Sequence, residues 1–432
     1  MADPVTRPVF SSRDATHRRL HVLAALALLH LATSCTHAQP ATHPAIQPIP
    51  PTWQPIAPMP RALVGHAASA TDQHLLVTGG LYASTTLRGP KPAASADVFA
   101  YDPEQDRWQT YAQLPEGRFN HAQFMLSDGR LLIVGGSTYN DQRQRRPLAS
   151  CLLLNPATGQ VEPGPELPEP MSNPTVHQIG ALGESPPKIV AVGGRYAAVL
   201  QGDRWLPIKL HRPRISHAVV RFWNGTFLVI GGTHQDTLEL VDTRNLTSEL
   251  LPVRLPQSLD DHAAVSFGGG IAVLGGQYSR GGNTTSDTLT LDLSRSAGPR
   301  QFKPGPSLGV PLGMADHRTV PFIPADQPDA RAYLLIGGES QLDGQDTELA
   351  DTRIVTGHPL RIATGPTLPQ PHDDAAVVPY FRGHTYVLGG AVTRTVFGRT
   401  VPVPVSYAHR LERDKLRVLG DPAQPALAPP AR

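Results

Sequence analysis

Leu131-Leu132-Ile133-Val134-Gly135-Gly136, an aliphatic run closed by a glycine doublet, is one of seven such stretches in the chain. The others are LLVTGG (75–80), IVAVGG (189–194), FLVIGG (227–232), IAVLGG (271–276), YLLIGG (333–338) and TYVLGG (385–390). Successive doublets lie 56, 58, 38, 44, 62 and 52 residues apart. Each run is short and rich in Val, Ile and Leu, as a strand buried on both faces requires. Glycine supplies the backbone angles needed where such a strand leaves its sheet. A solenoid of helix pairs would not end its apolar runs this way. The pattern predicts an all-β, seven-bladed β-propeller with four antiparallel strands per blade.

The rest of the unit repeats as well. Blade 1 continues with Ala100-Tyr101-Asp102-Pro103 and Trp108, then Leu114-Pro115-Glu116-Gly117-Arg118-Phe119-Asn120-His121, and Ser127-Asp128-Gly129-Arg130 turns into the next run. Blade 2 matches with Leu154-Asn155-Pro156-Ala157-Thr158-Gly159 and Leu167-Pro168, with Val161 at the Trp position. Blade 3 has Trp205 and Arg214-Ile215-Ser216-His217. A Tyr-Asp-Pro hairpin, a Trp, a Leu-Pro, an Arg-x-x-His and a Gly-Gly in that order resemble the kelch repeat, over roughly residues 53 to 420. In blade 7, aligning Asp373-Asp374-Ala375 with Asp261-His262-Ala263 puts Asp374 at the histidine position.

Composition fits short strands and many turns: 45 Pro and 39 Gly, with 40% hydrophobic and 6% aromatic residues among 432. Blades that pack on one another make one large domain. A net charge of +2 leaves no whole-chain field for nucleic acid, which is excluded as a partner.

Residues 1–35 read as a signal peptide. Arg18-Arg19 precede the apolar stretch Leu20 to Ala32, and Ala32-Thr33-Ser34-Cys35 resembles a bacterial lipoprotein box. The apolar stretch is short for a membrane span. Lipid on Cys35 would make the anchor the sole membrane contact. Thr36 after the cysteine resembles an outer-membrane sorting signal, so the expected location is the cell envelope, facing the periplasm. The alternative is plain cleavage after Thr36-His37-Ala38, with Cys35 lost. Residues 36–52 form a Pro-rich tether, and residues 421–432 a Pro/Ala-rich tail. Trp53-Gln54-Pro55-Ile56 and Leu416-Arg417-Val418-Leu419 compete to be the strand that closes the ring, and the Trp and Met59-Pro60-Arg61 favour the first.

With Cys35 lipidated, Cys151 stands alone and no intramolecular disulfide forms. It opens the strand Cys151-Leu152-Leu153-Leu154 and reads as a buried structural thiol. Galactose-oxidase-like enzymes, which are also kelch-type propellers, need a Tyr–Cys crosslink and His ligands at copper, and no local signature supports one. No cofactor is expected.

Antiparallel strands reverse at every step, so two sets of connections share each face. One face carries mostly tight turns. The other carries long charged loops at 81–97, 137–149, 277–287, 339–350 and 391–405, and variable loops on a rigid scaffold are where binding sites sit. The residues entering each first strand ring that channel mouth. Histidines recur there in six blades, and His66, His121, His177 and His217 read as structural, with the ring bonded to a neighbouring backbone group. Charges that do not repeat are the candidate ligand-binding set: Arg61, Arg118 and Arg214 on one side, and Asp261, His262, Asp316, His317 and Asp374 on the other. The arginines suit a carboxylate, and the aspartates suit sugar hydroxyls or acid/base work. Asp261, His262, Asp316, His317 and Asp374 are also side chains that bind divalent metals, though without tight ligand spacing. Arg143, Arg145 and Arg146 form a basic stretch that reads as a solvated loop, with lipid headgroups or polyanions as contacts.

Two functions follow. The first is a lipid-anchored propeller that captures an envelope protein or a glycan, with no catalysis. The second rests on a resemblance to single-domain bacterial kelch proteins of the N-acetylneuraminate epimerase (sialic-acid mutarotase) family, which implies acid/base chemistry on a sugar. No catalytic residue of that family aligns here. By position alone Glu339 and Arg195, each directly after a doublet, are candidates.

Overall fold

The computed structural model describes residues 51–84, 91–180, 188–222, 224–294, 300–325, 331–357, 359–396 and 399–417. The leader with Cys35, the tether up to residue 50, the tail, and parts of the connections at 183–188 and 324–330 lie outside these residues.

Seven sheets follow one another along the chain, and the aliphatic run of each repeat is its second strand. In blade 1, Leu75–Thr78 pairs on one side with Ala67–Ala70 and on the other with Asp97–Asp102, and Arg107–Gln113 follows outermost. Blades 2, 4, 5 and 6 repeat this antiparallel order. The runs are sealed: Leu131, Leu132, Ile133 and Val134 are each 0% exposed. Their side chains alternate between two sheet faces, so each blade contributes to the cores on both sides. Leu132 and Val134 pack with Trp205 of blade 3, and Leu131 and Ile133 with Leu76 of blade 1. Seven such clusters fill the spaces around the ring. First strands of neighbouring blades approach one another around the central channel.

Blade 3 departs from four strands. Lys188–Gln201 is continuous, its first part pairing with Thr175–Ile179 and its remainder with Arg204–Arg214.

The ring closes with N-terminal sequence. Gln54–Pro55 pairs with Ala408–Glu412 as the outermost strand of blade 7. The Ile56 N–H donates to Ala408 O at 3.0 Å and the Met59 N–H to Ser406 O at 2.9 Å. Trp53 is 4% exposed and its indole donates to Pro366 O at 2.9 Å in blade 6. Leu416 takes no strand position. It follows a single turn of 3₁₀ helix, Arg413–Lys415, and is buried in the same cluster as Trp53.

The long connections on one face are not open loops. Four of them fold back as two-stranded ribbons: Leu81–Ser84 with Lys91–Ala94, Ser137–Tyr139 with Arg145–Pro147, Glu339–Leu342 with Gln345–Glu348, and Ala391–Val396 with Arg399–Pro404. In blade 5 a fifth ribbon joins Gln277–Tyr278 to Leu259–Asp260, which precede that blade's first strand. They are short and mostly polar, with residues such as Ser137, Thr138 and Ser340 buried against the propeller, and a reading for aliphatic runs passes over them.

Candidate functional site

One position per blade builds the channel mouth. Gly65, Asn120, Asn173, Ser216, Asp261, Asp316 and Asp374 are equivalent, and all have left-handed backbone, with φ between 48° and 63°. Short polar residues and glycine tolerate this region best. Backbone hydrogen bonds link the position from blade to blade: Asn120 N–H to Gly65 O at 2.7 Å, Asn173 to Asn120, Asp261 to Ser216 and Asp316 to Asp261, each at 3.0 Å. The belt turns the side chains into a common cavity of about 240 Å³, lined by these seven residues with His66, His121 and Arg318.

Half of the cavity is neutral and half acidic. Asp261, Asp316 and Asp374 come from consecutive blades, and Arg318 lies among them. Its guanidinium donates to Asp374 Oδ1 at 3.2 Å and to Ala375 O at 3.0 Å. Three carboxyls against one cation, in an enclosed space, disfavour full ionisation. Burial, with Asp260 and Asp374 nearby, pushes Asp261 up to about 6. Burial and the charges of Asp261, Asp374 and Asp373 hold Asp316 well above the usual carboxylate range. Behind them, burial with Asp374 and Glu339 raises Asp373 to about 8, and burial with Asp346 and Asp374 raises Glu339 to about 7. Glu339 starts the ribbon of blade 6, where its backbone pairs with Ala315 beside Asp316.

Arg118 and Arg214, expected at the mouth, are interior. Arg118 is 1% exposed and donates to Gly135 O at 3.2 Å and Ser150 O at 3.1 Å. Arg214 is 0% exposed and donates to Gly231 O, Thr237 O and the buried Glu239 carboxylate at 2.8–3.0 Å. Each donates to the first carbonyl of a doublet, Gly135 O or Gly231 O, and to a carbonyl on the chain that returns as the third strand, Ser150 O or Thr237 O. Arg61 pairs with Asp97 at 2.5 Å over the Tyr82 ring and does not line the cavity. The basic side of the mouth is therefore absent, and the asymmetry is neutral against acidic.

His262 and His317 are buried rather than facing the mouth. Each ring lies beneath the doublet of the preceding blade, against Gly231 and Gly275. His66 and His121 border the cavity, but their rings also lie beneath doublets, against Gly389 and Gly79, where His66 Nε2 donates to Leu388 O at 3.0 Å and His121 Nε2 bonds Thr78 Oγ1 at 2.8 Å. Burial drops all four to about 3–4, so they are neutral at pH 7. The histidine follows the left-handed residue in five blades, not six: Pro174 and Ala375 take its place in blades 3 and 7. Blade 7 therefore aligns one residue away from its sequence reading. Asp374 is equivalent to Asp261 and Ala376 to Ala263.

Gly65 and Ser216 were missed because neither is charged. The signal that could have found them is the short residue directly before each histidine. Arg195 is exposed and does not line the cavity. Among the described residues no set of three or more His, Cys, Asp or Glu side chains is placed to hold a metal ion. The Cys151 thiol is buried and pushed up to about 11 by that burial.

No model of a known protein family matches the chain. Over 165 residues it is 26% identical to human Kelch repeat and BTB domain-containing protein 12, covering 35% of this chain and 26% of that protein. Over 233 residues it is 24% identical to Beta-scruin of Limulus polyphemus, covering 50% of this chain and 24% of that one. The chain thus spans about a quarter of the length of these relatives. Among solved structures, a copper-bound fungal alcohol oxidase superposes with a TM-score of 0.61 at 14% identity, over 84% of this chain and 77% of that one. A structure of YjhT superposes with a TM-score of 0.47 at 13% identity, over 82% of this chain and 95% of that one.

Proposed function

Because this chain is a kelch-repeat β-propeller with a polar, acid-lined channel mouth, we propose that it is a carbohydrate-binding propeller. The ligand is a neutral or amine-bearing sugar seated in the mouth. The observation that carries this is the run of Asp261, Asp316 and Asp374 on consecutive blades, facing a cavity of about 240 Å³ with few apolar walls. Carboxylates and amides at fixed positions accept hydrogen bonds from a donor-rich ring. A sugar carboxylate is disfavoured, since Arg118 and Arg214 are interior and Arg318 already serves Asp374. The test is calorimetric titration with glucose, galactose, mannose, glucosamine and N-acetylglucosamine. One of them binds, and Asp374→Asn weakens it about tenfold; no binding by any sugar overturns the reading.

A second reading is favoured by Asp261, which lines the cavity and whose carboxyl is pushed up to about 6. Carboxyls poised near neutral pH are suited to exchange protons with a bound sugar, as epimerisation or mutarotation requires. Proton NMR in deuterated water discriminates: a catalyst accelerates anomer interconversion or washes out a ring proton, whereas a binding module does neither. The location is likewise a proposal, in which lipid on Cys35 anchors the propeller in a bacterial envelope. Labelled palmitate enters the wild-type protein and not Cys35→Ser if that is correct.

A further inference from the structure

The wall around the mouth has a gap. The ribbons of blades 5 and 6 bond to each other, Gln277 Nε2 to Gln341 Oε1 at 2.5 Å and Thr284 N–H to Gln341 O at 3.0 Å. Those of blades 6, 7, 1 and 2 touch in succession. Blades 3 and 4 carry no ribbon. In blade 3 the chain runs from Gly193-Gly194 into Arg195 within one strand. In blade 4 it turns at once, with the Gln235 N–H donating to Gly232 O at 2.7 Å. Among the described residues, the mouth is open sideways over these two blades.

The residue before each left-handed position registers the difference. In blade 2 it is Phe119, 2% exposed beneath Tyr139 of its own ribbon at 5.3 Å. In blade 6 it is Ala315, 0% exposed and paired with Glu339. In blade 4 it is Ile215, 54% exposed, because no ribbon covers it. An apolar side chain therefore stands uncovered at the lip of a polar cavity, on the open side.

The gap also differs in charge. Arg195 at its foot, Arg143 on the ribbon of blade 2 and Arg280 on the turn of blade 5 are exposed, and none is in an ion pair among the described residues. The cavity is acidic, while the elements that border its open side carry these three exposed arginines alongside the exposed Asp141 and Glu169. Among the described residues, guanidinium groups outside an ion pair are therefore met only beyond the cavity, since Arg318 within it pairs with Asp374. This arrangement selects different chemistry at successive points along a ligand.

Resting on the carbohydrate reading, the geometry points to a chain-shaped ligand: a linear glycan whose neutral terminal unit fills the cavity and whose next units, bearing carboxylate or sulfate, leave through the gap over Ile215. Aliphatic surface at the lip packs on the C–H face of a sugar ring. Guanidinium groups there pair with carboxylate or sulfate oxygens at fixed geometry. The cavity holds about one ring, so further units have the gap as their path.

Three probes test this: N-acetylglucosamine, the neutral β-1,4-linked N-acetylglucosamine tetrasaccharide, and a hyaluronan tetrasaccharide, which alternates N-acetylglucosamine with glucuronate. The hyaluronan probe binds at least tenfold tighter than the neutral tetrasaccharide. That ratio shrinks as salt rises, since exposed pairs are screened. In Arg195→Ser/Arg280→Ser it falls towards one, and in Ile215→Asp both tetrasaccharides lose their advantage over the monosaccharide. Equal affinity for all three probes overturns the inference and leaves the sugar site standing. No binding by any probe or by the monosaccharide panel overturns both. Tight binding of poly-glutamate with no glycan bound makes the chain a peptide and also overturns it.

Discussion

The carbonyl of Ser216 accepts the backbone N–H of Asp261 at 3.0 Å, tying blade 4 to blade 5 through two residues whose left-handed backbone aims them into the channel mouth. A non-glycine residue in this conformation costs of order 1–3 kcal/mol and persists where its surroundings hold it. The site is thus built on strain, to which the acidic half adds repulsion.

Asp261→Asn tests the repulsion. Asparagine tolerates the same backbone and has the same shape without the charge. The melting temperature should rise by about 2–4 °C, while affinity for the sugar falls. An unchanged or lower melting temperature contradicts the electrostatic account.

Stability should peak near neutral pH. Folded histidines at about 3–4 bind fewer protons than their unfolded counterparts near 6.5, so stability falls as pH drops from 6.5 towards 4. The raised carboxyls act in the opposite sense over pH 4 to 8. Asp373 at about 8 and Glu339 at about 7 hold protons that the unfolded chain has already released, so once the histidine gain is complete near pH 6.5 stability declines as pH rises to 8. Melting curves from pH 4 to 9 show both limbs, and Asp373→Asn should flatten the alkaline limb and steepen the acid one.

Arg214 and Glu239 form a buried pair, 3.0 Å apart with both side chains 0% exposed. Burial alone would raise the Glu239 carboxyl, but the His211 N–H at 2.6 Å, Arg214 and the Ser248 hydroxyl hold it below its usual value. Arg214→Ala should cost about 3–5 kcal/mol in denaturant unfolding, because it strands a charge. Arg214→Ala/Glu239→Ala should cost less than the sum of the two single variants. Full additivity would show the pair is not coupled.

Removal of residues 51–60 takes away Trp53, Ile56 and Met59 and the outermost strand of blade 7. Trp53→Ala alone should cost about 3–5 kcal/mol. The deletion should lower the melting temperature further still, as read by differential scanning calorimetry. Loss of no more than a degree would mean that another strand closes the ring.

The glycine doublets made the architecture legible because a buried strand needs a continuous aliphatic run and an abrupt exit, and both leave marks in the residues. Arg118 and Arg214 misled for a physical reason. A guanidinium that satisfies strand-end carbonyls inside a blade is as charged in the sequence as one that faces solvent. The mouth position is held by Gly65, Asn120, Asn173, Ser216, Asp261, Asp316 and Asp374, which share no charge or polarity, only tolerance of one backbone region. Blade 7 slipped by one residue because Ala375 stands where histidine would have marked the register.

The pairing of Gln54–Pro55 with Ala408–Glu412 has a kinetic meaning. The two partners are separated by nearly the whole propeller, so the loop they close is the longest in the domain. Until residues 408–412 have been synthesised, blade 7 lacks its partner and Trp53 has no finished site. Intermediates should therefore present an unpaired strand edge late in folding, when such edges recruit other chains. Refolding is expected to be slow and concentration-sensitive, with the last phase reporting on Trp53 fluorescence.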